Sequence, residues 1–291
     1  MDKIETLNRI QEDETYNYKF SCKSIKKLIK NVKIFGIIPF SILARHGFVA
    51  KDMLISLKDS NVLNEQDVEN FMRSFSTVTT DFLNDQIYLK QKKILYKDFI
   101  KKYGHLRAGT YDIKSQNYSR MNKNLLLNNE SKSIVRHKKF NLSLIKKKNI
   151  QKLLNKKKIR IKTNQIFEYF ENSMKSREYA KFIFSKSINI ILEKISNFAR
   201  KKSIKISEIE NLTIDQLLQL SNKSKKIIQK KIDKNLRDSK LNKLVKLPEI
   251  IVEKENAYVG ASVVSIPNFV TEKNISARVE FLGNNVKNNL D

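Results

Sequence analysis

Six glycines and three prolines are all that a chain of 291 residues contains. Strands and tight turns consume both residue types, whereas helix interiors exclude them. A chain this poor in them is therefore built of long helices joined by few connections. It also carries enough apolar material to fold: hydrophobic residues make up 40%, with 16 Phe and 10 Tyr among them, which separates it from disordered chains of similar charge. The expected class is mainly α, a multi-helix bundle, with a short and truncated β-containing segment at the C-terminal end.

Apolar periodicity places the helices. From Asn17 to Lys33 the residues Phe20, Ile25, Leu28, Ile29 and Val32 recur near three- and four-residue spacing, with lysines on the other face. Pro39 in "FGIIPF" has no N–H and biases Ile38 away from the α region, so this helix is expected to break there. A second then begins, carrying Phe40, Leu43, Phe48, Met53, Leu54 and Leu57. Asn64 reads as the cap of a third helix that continues to Tyr103, bent in "SFSTVTT" and stopped by Gly104. Residues 122–162 are rich in Asn, Lys and Leu, with runs such as "NKKKIRIK", and read as a basic arm that is either helical or mobile. Strong helical spacing returns from 163 to 201. Ser207 with Glu210 and Thr213 with Gln216 match the capping-box pattern, the second opening a helix to about Leu236.

After Pro248 the composition shifts to Val, Ile and Ser, with turn-prone "EKEN" and "TEKN", so short strands are expected. A segment this short makes at most an edge or two of a sheet and buries little core alone. Two regions follow: a helical domain over 1–246 containing the basic arm, and the start of another domain over 247–291.

The formal net charge of +28 would ordinarily point to a polyanion. The excess is mostly lysine, however, and comes with Asn and Ile along nearly the whole chain, as a compositional bias acting on a neutral surface would produce. The lone Cys22 cannot form an internal disulfide, and no signal-type apolar region opens the chain. The longest apolar candidate, Ile34 to Leu43, is ten residues and holds Gly36 and Pro39. The expectation is a cytoplasmic protein with neither a membrane nor nucleic acid as partner.

Three groups of residues could carry chemistry. The loop "YGHLRAGTYDI" gathers His105, Arg107 and Asp112, where the carboxylate could orient a titratable imidazole and the guanidinium could hold a phosphate or carboxylate in bidentate fashion. His46, beside Gly47, could lie where a ligand approaches closely, although a lone helical histidine is more often packed and hydrogen-bonded. Arg177 and Lys181 share a helix face at i and i+4, with Glu178 three residues before Lys181; lining a cleft they could bracket a phosphate, and otherwise they form a solvated salt-bridged surface. No metal-ligand spacing, Walker-type loop or dinucleotide glycine loop is present.

Five stretches, "FGIIPFSILARHGFVAKDMLISL", "SFSTVTTDFLND", "YGHLRAGTYDI", "SREYAKFIFSKSI" and "SIPNFVTEKNISARVEFL", together resemble, in the same order, the central region of phosphoenolpyruvate-synthase-like enzymes, the PEP-utilising or PEP/pyruvate-binding phosphotransferases. The resemblance covers residues 15 to 283. It implies a helical, substrate-side portion of an enzyme whose ATP-grasp module and swivelling phospho-histidine domain lie outside this chain. ATP and magnesium would serve the complete enzyme, no cofactor would bind here, and the partners would be a small phosphate acceptor and separate chains carrying the missing modules. The chain departs from the family in two places: no histidine follows His137, so the phosphorylated histidine has no counterpart, and Ala108 stands where the family's loop usually has proline. The chain alone is expected to be inactive. Two other readings stay open, a basic helical nucleic-acid-binding protein and a non-catalytic structural remnant.

Overall fold

A computed structural model describes residues 1–14, 21–123, 134–135 and 137–242. Among these the protein is mainly helical, without strands. The strands expected after Pro248, and Phe20 in the first expected helix, lie outside the described residues. One compact unit covers Met1–Asn235; the described part of a second, which begins at Leu236, is the end of the last helix.

The elements are α1 (Asp2–Glu14), α2 (Cys22–Asn31), a π-helical segment (Val32–Ile37), α3 (Ile38–Asp59), α4 (Glu65–Met72), α5 (Val78–Lys90), α6 (Tyr96–Tyr103), a 3-10 turn (Tyr118–Arg120), α7 (Leu144–Lys156), α8 (Thr163–Lys201), α9 (Ile206–Ile209), α10 (Ile214–Leu220) and α11 (Lys225–Asn242). Helix α8, at 39 residues about 58 Å long, is the spine. Its range matches the periodicity read from 163 to 201. Buried Ile166, Phe170, Ile183, Phe184, Ile191 and Ile195 supply the face on which the other helices rest.

Pro39 does not break the chain's second helix. Helix α2, the π segment and α3 form one continuous helix from Cys22 to Asp59. The π segment explains the tolerance: the Ile38 N–H reaches back five residues to the Lys33 carbonyl, so the ladder has already slipped where the proline ring would clash and its missing donor would be felt. Pro39 then sits in the first turn of α3, where no donor is required. By length and composition this helix could cross a membrane. One of its faces packs on α8: a Cβ on Gly36 would lie 2.7 Å from the Phe184 Cβ and 2.9 Å from Leu7, so glycine permits the approach of three helices there.

Below that crossing, Ala50, Leu54 and Leu57 join Phe71, Phe75, Ile150, Leu154, Phe167 and Phe170 in the main core. Phe71 meets Phe75, Phe140 and Phe167 edge-on at 5.2–5.4 Å between centroids. Each such ring contributes roughly 1.5–3 kcal/mol by burial. Helix α7 is part of this core through Ile150 and Leu154, and Gln151 Oε1 accepts from the Thr163 N–H at 2.9 Å, so this stretch of the basic region is folded against the start of α8.

The single helix expected from Asn64 to Tyr103 is three. Asn64 does cap α4, in a capping box with Asp67. Thr77 and Thr80 form a second box that opens α5, and Lys92, at φ 57°, turns the chain between α5 and α6. Gly104 ends α6 as expected, since a Cβ there would lie 2.4 Å from the Ile100 carbonyl oxygen. The Thr213–Gln216 box is present, but Ser207 and Glu210 do not form one. Glu208 instead bonds the Lys205 N–H, two residues earlier. Helix α1, which the sequence reading passed over, buries Ile4 and Leu7 and ties itself to α8 through Gln11, whose Nε2 donates to the Ile183 carbonyl at 2.8 Å.

Candidate functional site

The 104–120 segment has little regular structure, so side chains hold it. Arg107 pairs with Asn117 in an antiparallel bridge, and the Tyr118 and Ser119 N–H groups donate to the carbonyls of Leu106 and Gly104. The Arg107 side chain is buried, with Nη1 donating to the carbonyls of Asp112 (3.2 Å) and Ser115 (3.0 Å). Its Nη2 donates to Asn189 Oδ1 and, at 3.4 Å, to Glu193 on α8. Asn117 Nδ2 bonds the same two residues, and Arg120 pairs with Glu193 from the other side. Burial pulls the Arg107 pKa below its ordinary value and Glu193 opposes that shift. Most of the guanidinium is thus spent on folding the loop, not on bidentate capture of a ligand.

His105 is also turned inward. Its Nε2 donates to the Phe182 carbonyl at 3.2 Å and its ring sits 4.8 Å from that of Phe182. Burial, with Lys186 adding to it, lowers the imidazole pKa to about 4, so it is neutral near pH 7. Asp112 does not orient it: that carboxylate accepts from the Lys114 N–H of its own turn at 2.8 Å. The catalytic-looking trio of the loop is therefore a scaffold.

His46, Tyr169 and Arg177 lie together along α3 and α8. The Tyr169 hydroxyl donates to the His46 carbonyl at 3.4 Å; having one proton, it accepts from the Nδ1–H of the same histidine at 3.0 Å. Arg177 stretches past Gly47, where a Cβ would come within 3.0 Å of its Cδ, and sets its guanidinium 5.8 Å from the Phe48 ring centre. These contacts pin the crossing of the two helices.

Lys181 differs. It is exposed, makes no ion pair among the described residues, and stands at the rim of a cavity of about 340 Å³ between the start of α5, the 104–120 loop and α8. Val78, Phe82, Leu106 and Phe182 form apolar walls, while Thr79, Thr110, Tyr118 and Ser185 bring hydroxyls. Glu178 also lines it, but its carboxylate accepts from the Thr79 N–H (3.3 Å) and Oγ1 (3.1 Å), neutralising the first turn of α5 from within. Arg107 lines the cavity too, and its buried Nε–H has no partner among the described residues. Of the six residues expected to bind substrate, Arg107 and Lys181 meet at this cavity; His105 and Asp112 support its loop, and His46 and Arg177 serve the helix crossing.

Asn189 and Glu193 were missed by the sequence reading. Their signal was present, as two polar residues four apart beside the apolar stripe Ile188, Ile191, Leu192, Ile195 of a core helix. Among the described residues no group of three His, Cys, Asp or Glu side chains could hold a metal ion. The chain matches no protein-family model, no curated protein and no solved structure.

Proposed function

We propose that this chain is the helical, substrate-side portion of a phosphoenolpyruvate-synthase-like phosphotransferase, working in the cytoplasm and holding a small phosphate acceptor in the cavity beside the 104–120 loop. The observation that carries the reading is that Lys181 and Arg107, whose buried Nε–H has no acceptor among the described residues, line the same small cavity. A buried donor without a partner costs about 1–3 kcal/mol, and a carboxylate or hydroxyl oxygen of a bound molecule would remove that cost. The threonine and tyrosine hydroxyls and apolar walls then suit a small oxygen-rich acceptor better than a nucleotide.

Magnesium and ATP do not fit this cavity. Its one carboxylate, Glu178, is committed to Thr79, and no glycine-rich loop lines it. Nucleotide cleavage and phosphate carriage thus fall to other parts of the enzyme, contributed by the same protein or by separate chains, and no step of that chemistry rests on residues described here. The chain's own work is to bind, orient and partly desolvate the acceptor.

Titration calorimetry with pyruvate, phosphoenolpyruvate and neutral sugars tests this. Saturable binding of one of them that Lys181→Ala weakens by on the order of tenfold supports the reading. ATP-dependent phosphorylation of any acceptor by the chain alone would overturn it, as would the absence of binding by all of them.

A further inference from the structure

The outward face of the Cys22–Asp59 helix is unusual. Its most apolar eighteen-residue window is only 22% buried. Ile38, Ile42 and Val49 are 45–50% exposed and recur on the side opposite the α8-facing residues Gly47, Ala50 and Leu54, and Phe48, 57% exposed, flanks them with its ring toward Arg177. From Ile38 to Val49 they string out over roughly 17 Å of helix. Contiguous exposed apolar surface of this kind marks an interaction site. The charge along it is mostly of one sign: from Cys22 to Lys51 there is no Asp or Glu, Asp52 being the first, whereas Lys23, Lys26, Lys30, Lys33, Arg45 and Lys51 are all present and exposed.

We infer that this face docks the protein, in plane, on an anionic lipid surface. A second copy of the chain is disfavoured by the charge, since two surfaces of the same strong positive sign repel. A protein partner is disfavoured by composition. Protein interfaces favour Tyr, Trp and Arg and are depleted in lysine, while this face offers Ile, Val and Phe rimmed by lysines. Aliphatic side chains enter the acyl boundary, and lysine stems extend along it with their ammonium groups at the headgroup phosphates. The helix lies on the surface, not through it, because its other face is committed to the core through Gly36, Ala50, Leu54 and Leu57. Leaving the bundle would expose that core. The expectation of no membrane partner rested on an apolar run of only ten residues, Ile34 to Leu43, which argues against a span and not against docking in plane.

Co-sedimentation of the full chain with phosphatidylcholine vesicles, with and without phosphatidylglycerol, tests the inference. Binding should require phosphatidylglycerol, weaken with salt, and fall by on the order of tenfold or more in the double variant Ile42→Ser, Val49→Ser. Both positions are exposed, and circular dichroism checks that the double variant keeps its helicity and melting temperature. Lys26→Glu with Lys30→Glu should weaken binding without touching the apolar face. No binding to either vesicle overturns the inference. So does binding that the Ile42, Val49 variant leaves unchanged, which is charge attraction alone, or a self-association that the same variant dissolves.

Discussion

Helix α3 and the 104–120 loop both lie against α8, and they are held there by opposite means. The helix is fitted by shape: Gly47 within it and Gly36 in the π segment just before it let it approach, and apolar side chains fill what remains. The loop is fitted by charge and hydrogen bonds, with Arg107 bonded to Asp112, Ser115, Asn189 and Glu193. The difference is one of failure. A shape-fitted element resists loss of a polar partner but not added volume, whereas a network collapses when its central charge is removed and neighbours are left unsatisfied.

Four measurements sharpen or break that contrast. The largest effect is expected for Arg107→Ala, which should cost about 3–5 kcal/mol in urea unfolding because the carbonyls of Asp112 and Ser115 lose their donor and Glu193 and Asn189 each lose one of theirs; a loss below that of a surface substitution would show that the network does not hold the loop. Next is pH. The folded His105 pKa is depressed to about 4 from an ordinary 6.5, so its contribution is complete above pH 6.5 and declines as the pH falls toward 4. The loss at the lower end is on the order of 3 kcal/mol. Stability measured across this range should slope downward in the natural protein and flatten in His105→Gln, which keeps an N–H donor but does not titrate.

Third, Gly36→Ala should destabilise by roughly 1–3 kcal/mol, read as a lower Tm, because the added methyl meets the unyielding Phe184 Cβ. Gly47→Ala should cost less, since its nearest neighbour is the flexible Arg177 chain. Equal losses at the two sites would contradict the close approach at Gly36. The smallest effect is Thr77→Ala, about 1 kcal/mol from the lost cap of α5, detected by thermal melting.

The same contrast explains what could be read in advance. Shape-fitted elements announce themselves through apolar spacing, so the 39 residues of α8, the Asn64 and Thr213 caps and the stop at Gly104 were legible. The π segment was not, because proline reads locally as a break and the compensating slip is set by packing of Gly36 on α1 and α8. The gaps between α4, α5 and α6 were hidden by apolar residues continuing through them, some facing Phe71 and others facing the separate cluster of Phe99 and Tyr103. In the loop, residue types pointed to a segment that lines a cavity. Which way His105 and Arg107 point depends on Phe182, Asn189 and Glu193, more than 70 positions along the chain.

The π segment carries one further consequence. A π turn accommodates an extra residue, so the stretch from Val32 to Ile37 behaves as a single-residue insertion absorbed inside an otherwise regular helix. Deleting one residue there would restore an ordinary helix and rotate everything beyond it by about 100° relative to the lysines of α2. Gly47 and Leu54 would swing off their seats on α8. That one surplus residue thus sets the angular phase between the cationic start of the helix and the apolar surface that follows.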